Sequence, residues 1–210
     1  MHWLDPDYLP ESSGTFERFL INPRGDADGM ILANGAEIHF PPHMSAELCA
    51  AIRPGQAIKV RGVRPRGGDL IAAVAIETAE GIRITDSGPP KKMHNDEERP
   101  HEHGAKPKHE PMEAEGIVRR VLHGPKGEAL GALLGDGRII KIPTHEAERI
   151  AHLLSPGQTL AIRGEGSVLA LGTVIEAREI GASADDLQPI KLNKPNLEKH
   201  HDNDGQSNLA

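Results

Sequence analysis

Shifted by 102 positions, the chain matches itself: residues 14–62 align with 116–164 without a gap. Gly14, Arg18, Leu20, Pro23, Gly25, Ala27, Gly29, Leu32, Gly35, Ile38, Pro41, His43, Pro54, Gly55, Gln56, Arg61 and Gly62 all recur. Two copies are too few for a solenoid, so the repeat predicts two tandem copies of one small unit. Many of the matched positions govern backbone geometry. "NPRGD" (22–26) and "GPKGE" (124–128) place proline early and glycine late in a tight turn. "NG" (34–35) and "DG" (136–137) are hairpin signals, and "PG" (54–55, 156–157) ends a helical segment.

Strands are expected between these turns. In "AEIHF" (36–40), Ile38 and Phe40 fall on one face and Glu37 and His39 on the other; the copy keeps Ile140 and Ile142. "AIKVR" (57–61) turns Ile58 and Val60 inward and Lys59 and Arg61 outward, and Leu160 and Ile162 repeat the pattern. Windows 69–77 and 169–177 read as the final strands. A helix interrupts each set. Met44, Leu48 and Ile52 form an apolar stripe in the first copy, and Ile150, Leu153 and Leu154 in the second. Proline in "FPPH" (40–43) and "IPTH" (142–145) cannot donate to a ladder and ends the third strand before that helix.

The order strand, strand, strand, helix, strand, strand resembles the OB-fold, a five-stranded Greek-key barrel. The resemblance covers roughly 14–80 and 115–180 and rests on element order and turn chemistry. The chain is also similar to uncharacterised bacterial proteins with paired OB-like domains. The expected fold class is all-β with one short helix per domain, arranged as two tandem five-stranded OB-fold-like barrels. An SH3-like barrel is the rival architecture. The expected organisation is an N-terminal tail (1–13), a first barrel (14–85), a disordered linker rich in histidine, proline and charge (86–113), a second barrel (114–182) and a disordered C-terminal tail (183–210).

The net charge is −7, which argues against a strong nonspecific nucleic-acid binder while leaving room for a local basic patch. Aromatics make up 2% of the chain. Trp3, Tyr8, Phe16, Phe19 and Phe40 are the whole set, so the cores must be aliphatic. Phe16 and Phe19 match Val118 and Val121, which marks them as core rather than as a base-stacking platform. Cys49 is the single cysteine and excludes an internal disulfide; its copy, Ala151, points to a small packed position. The opening "MHWLDPDYLPESSG" has neither the basic nor the apolar run of a signal peptide, and no apolar stretch is long enough to span a bilayer. A cytoplasmic protein without a membrane partner is expected.

No catalytic constellation is apparent, and no cofactor or enzymatic activity is expected. The glycines of "GPKGEALGALLGDGR" (124–138) lack the Gly-Lys-Ser/Thr ending of a phosphate loop and recur in the first copy as turn residues. His43 and His145 are matched and are expected to cap the helix start or pack beneath the barrel mouth. His94, His101, His103 and His109 lie in the linker and His200 and His201 in the tail, a composition open to weak metal binding without a defined site.

The strongest binding candidate is "KVRGVRPRGGD" (59–69). Lys59, Arg61, Arg64 and Arg66 lie on the fourth strand and the loop after it, which in an OB-fold flanks the oligonucleotide face. The second copy keeps Arg163 and reads as a connection three residues shorter. Arg24 and Lys126 are matched basic positions in the first turn of each copy. The leading expectation is a non-enzymatic protein binding single-stranded nucleic acid weakly and electrostatically at the first barrel. The alternatives are a protein-interaction adaptor, with Trp3 and Tyr8 as anchors, and metal binding by the linker histidines.

Overall fold

Each repeat closes into a barrel. The computed structural model describes residues 5–65, 70–88, 107–124 and 126–191. After a 3₁₀ turn (Pro6–Tyr8), the first unit comprises β1 (Glu11–Ile21), β2 (Ala27–Leu32), β3 (Glu37–His39), a 3₁₀ turn (Pro42–Met44), α1 (Ser45–Ala51), β4 (Ala57–Val63), β5 (Leu70–Thr78) and β6 (Arg83–Thr85). The second comprises β7 (Glu110–His123), β8 (Ala129–Leu134), β9 (Ile139–Lys141), α2 (Thr144–Ala147), α3 (Ala151–Leu154), β10 (Thr159–Leu169), β11 (Gly172–Gly181) and β12 (Gln188–Pro189). In the first unit the sheet runs β3-β2-β1-β4-β5-β6, and a parallel β3–β5 pairing closes the five-stranded barrel. In the second, β10-β7-β8-β9-β11-β12 is closed by β10–β11. The chain therefore consists of two tandem OB-like barrels.

Bulges at matched positions shape both barrels. In β1 the register passes from Phe16↔Leu32 to Arg18↔Ile31, leaving Glu17 as the extra residue; β7 repeats this at Arg119. A regular strand cannot turn residues i and i+3 to the same face. With the bulge, Phe16 and Phe19 both enter the core, their ring centroids 4.5 Å apart. A second matched shift, in β4 and β10, falls at Gly62 and Gly164. A Cβ on Gly62 would stand 2.2 Å from the Ala72 carbonyl oxygen, and one on Gly164 2.1 Å from that of Glu176, so only glycine fits there.

The cores follow the expected phase. Ile38, Phe40, Met44, Leu48, Ile52, Ile58 and Val60 bury in the first barrel, and Ile140, Ile142, Ile150, Leu154, Leu160 and Ile162 in the second. Glu37, on the face opposite Ile38 and Phe40, is 2% exposed, because the second barrel covers that face. One reading is corrected: the window 169–177, expected as a final strand, straddles a turn, since Leu169 ends β10 and β11 begins at Gly172. The connection itself is shorter in the second copy, with two residues (170–171) between β10 and β11 against six (64–69) between β4 and β5, while the strands that flank it are longer. Glu37 and Ile139 stand 102 apart, but their ladder partners Leu70 and Val174 stand 104 apart.

The ordered units also reach beyond the expected limits. β1 and β7 begin at Glu11 and Glu110. β12 pairs with β11, and Ile190 buries in the second core, past residue 182. Most of the expected linker (89–106) and tail (192–210) lies outside the described residues, as do Trp3, Arg66, His94, His101, His103, His200 and His201.

The two barrels meet across a third apolar cluster. Leu20, Ile21 and Ile31 of the first pack with Leu122, Leu133, Ile139 and Val174 of the second. These residues lie on the outer sides of β1 and β2 and of β7–β9 and β11. Leu20 and Leu122, and Ile31 and Leu133, are equivalent positions in the repeat, so the two faces meet about an approximate two-fold axis. The hydrogen bonds obey the same relation. Arg18 Nη2 donates to the Gly137 carbonyl at 2.8 Å, and Arg120 Nη2 donates to the Gly35 carbonyl at 2.6 Å.

Candidate nucleic-acid interface

In an OB-fold, the face of the second and third strands and the loops beside it receive oligonucleotides. Here the corresponding faces are turned toward each other and filled with leucine and isoleucine. Phe16, Phe19 and Phe40 are buried, so none presents a ring to a base. A ligand must therefore approach an edge or a loop outside the joint.

The basic positions divide by their partners. Arg61 Nη2 lies 2.6 Å from Glu11 Oε2, and Lys59 Nζ 3.7 Å from Glu77 Oε1. Arg163 bridges Glu113 and Glu179, each at 2.7 Å, and these carboxylates raise its pKa. Arg64 is exposed and has no carboxylate partner among the described residues. Arg24 and Lys126 are exposed at the first turns of their barrels, away from β4 along the chain. The turn carrying Arg24 sits at the seam: a Cβ on Gly25 would stand 3.5 Å from Leu169 of the second barrel.

The N-terminal segment supplies a group that charge counting alone passes over. The β1–β4 ladder pairs Glu11 with Arg61. The Gly62 N–H then donates to Pro10 O at 3.3 Å, and Arg61 Nη1 to Asp7 O at 3.5 Å. Antiparallel register thus runs the segment before Glu11 along the end of β4, where the basic loop leaves. Tyr8 is 88% exposed on this segment, and Val63, at the end of β4, is 42% exposed. Tyr8 is the one exposed aromatic among the described residues. The sequence singled it out as an anchor but gave no reason to put its segment against β4, because that placement depends on the β1–β4 register.

At the joint, Glu37 accepts from the His123 backbone N–H at 3.0 Å, and its carboxylate lies 3.2 Å from His123 Nδ1 and 2.9 Å from His39 Nε2. Burial pushes this carboxyl up, but the hydrogen bonds from His39 and His123 outweigh it, and its pKa falls below the ordinary value. Asp28, close by on β2, goes the other way. Burial raises its pKa, and Lys141 of the second barrel and His39 offset only part of that. A cleft of about 300 Å³ opens at the seam between Pro23 and the second barrel's Leu130, Lys141, Glu176 and Arg178.

The matched histidines hold their barrels shut. His43 Nε2 lies 2.9 Å from Asp86 Oδ1, just after β6, and His145 Nε2 meets the Lys191 carbonyl, just after β12. Each ties the helix entrance to the chain leaving the barrel. No cluster of histidine, cysteine, aspartate or glutamate with metal-binding geometry occurs among the described residues. Cys49 is half-buried, its Sγ 4.0 Å from Ser45 Oγ, and burial pushes its thiol pKa up. Among the described residues no helix is long and apolar enough to cross a membrane.

Neither a protein-family model nor a curated relative matches the chain. Among solved structures, it is similar to a deletion mutant of the single-stranded DNA binding protein from Thermus aquaticus. The match has 16% identity over 89% of this chain and 95% of that one, with a TM-score of 0.25. The wild-type form of that protein matches at 14% identity over 90% of this chain and 85% of that one, with a TM-score of 0.26. At such TM-scores the likeness carries no functional weight, and the barrel assignment rests on strand order and closure.

Proposed function

We propose that the protein is a non-enzymatic binding module that takes up single-stranded nucleic acid at the rim of the first barrel. The supporting observation is the placement of exposed Tyr8 along the strand end that carries Val63 and Arg64. An aromatic ring offers a stacking surface to any base, and Arg64, without a carboxylate partner among the described residues, offers a phosphate contact. The loop after β4 is one of the two loops an OB-fold uses for such ligands, which is an argument from fold analogy. With Lys59, Arg61 and Arg163 held by carboxylates, few cations remain for phosphates, so binding is weak and strongly salt-dependent.

Fluorescence anisotropy with short labelled single-stranded DNA and RNA tests this reading. Affinity is expected to fall from low to physiological salt, and to fall about tenfold on Tyr8→Ala or Arg64→Glu. Absence of binding at low salt, or equal binding by both variants, would remove it.

The exposed Tyr8 and Val63 pair also favours a second reading, in which this edge anchors a partner protein. In that case oligonucleotides do not bind, and a partner captured by the wild-type protein is lost with Tyr8→Ala.

A further inference from the structure

The joint between the barrels is nearly two-fold symmetric, so its departures from symmetry carry information. The first lies at the axis. Glu17 and Arg119 are equivalent residues, the bulge positions of β1 and β7, and they face one another with Arg119 Nη2 2.6 Å from Glu17 Oε1. Two first barrels joined by the same operation would oppose Glu17 to Glu17. Two second barrels would oppose Arg119 to Arg119.

The second departure lies off the axis. Glu37 and Ile139 are equivalent, as are Ile21 and His123. On one side of the axis His123 meets Glu37; on the other Ile21 and Ile139 share one apolar cluster, both fully buried. A pair of first barrels would set Ile21 against Glu37 twice. The Ile21 backbone N–H could replace that of His123, but a hydrocarbon side chain would replace the imidazole against a carboxylate that is 2% exposed. A pair of second barrels would set His123 against Ile139 twice, leaving each imidazole without its acceptor. Both like-with-like pairings oppose equal charges at the axis, and the first-barrel pair also buries Glu37 with one partner fewer. The mixed pairing avoids both faults.

We infer that the outer face of β1–β3 is a docking surface specific for the second type of barrel and closed to its own kind, with Glu17–Arg119 and Glu37–His123 as the discriminating pairs. The matched residues (Leu20, Leu122, Ile31, Leu133, Arg18 and Arg120) serve any pairing equally. They supply adhesion, and the unmatched ones supply the choice of partner. This inference does not depend on the nucleic-acid reading.

The test starts from the whole folded chain. A protease site is placed between residues 88 and 107, and the folded protein is cut there. The halves are unfolded in urea, refolded by dilution and weighed by native mass spectrometry, which separates the three possible pairs by mass. The wild-type halves are expected to re-form mixed pairs in about tenfold or greater excess over like pairs. The variant Glu17→Gln/Arg119→Gln/Glu37→Ile/His123→Ile makes the faces alike and is expected to yield like pairs beside mixed ones. The exchange Glu17→Arg/Arg119→Glu restores the axial ion pair in reverse and is expected to keep mixed pairs dominant. Like pairs in statistical proportion from the wild type, or no pairs at all, would overturn the inference. So would a four-site variant that stays wholly mixed, or an exchange variant that loses its mixed pairs.

Discussion

Glu37 is where residue chemistry and domain arrangement meet. Its carboxyl is held below the ordinary value of 4.5, so the stability it contributes is present above that pH and is lost as pH falls through the lower, folded-state value. Glu37→Gln is expected to cost about 1–3 kcal/mol at neutral pH, because it turns a well-satisfied acceptor into a group that must also place an NH₂. The gap between variant and wild type in urea denaturation is expected to close as pH drops below 4.5. Asp28 carries the opposite sign. Its folded-state pKa is raised by burial, so its charge opposes folding once pH exceeds the ordinary 3.8, and Asp28→Asn is expected to raise the melting temperature at neutral pH. Neither role was legible in the sequence. Alternation placed Glu37 correctly on the outer side of β3, but alternation cannot say whether an outer side meets water or another barrel. One signal was available: "MIL" (30–32) and "ALL" (132–134) are apolar at consecutive positions in both copies, as in strands buried on both faces.

The turns are the elements the repeat described best, because a backbone used twice demands its glycines twice. Gly35 and Gly137 both take positive φ, 87° and 94°. Their surroundings differ: a Cβ on Gly35 meets nothing, while one on Gly137 would stand 2.8 Å from Arg18 Nη1. Alanine at either site is expected to cost about 1 kcal/mol from backbone strain. Gly137→Ala is expected to cost more, since it also displaces the arginine that crosses the joint, and chemical denaturation of the two variants side by side reads the difference. The bulges were harder to see. Phe16 and Phe19 were recognised as core from their aliphatic counterparts, but the extra residue that lets both point inward leaves no mark in the hydrophobic pattern. The helix of the second copy has a legible stripe, yet it forms as two short turns, Thr144–Ala147 and Ala151–Leu154, broken around Ile150. Apolar spacing specifies which side chains bury and not whether the hydrogen-bond ladder between them is continuous.

At the scale of the whole molecule, the sequence yielded the number of barrels and their strand order but not their mutual arrangement. Arrangement is encoded in unmatched residues, and a search for repeats discards those. The joint also relocates any nucleic-acid site. With the β2–β3 faces apposed, the proposed reading leaves a single strand the rim bearing Tyr8 and Arg64, where few phosphates would be contacted. The slope of log affinity against log salt is accordingly expected to correspond to only one or two phosphate contacts. A steep slope would indicate a longer track across both barrels.

The paired Arg18–Gly137 and Arg120–Gly35 bonds have a mechanical consequence. A hinge needs one side that gives while the other holds, and here an arginine clasp spans each side of the axis. Tilting the barrels is expected to strain at least one of the two, so the joint is expected to resist bending. A ligand at the rim of the first barrel would then find the second barrel held beside it, as on a ruler.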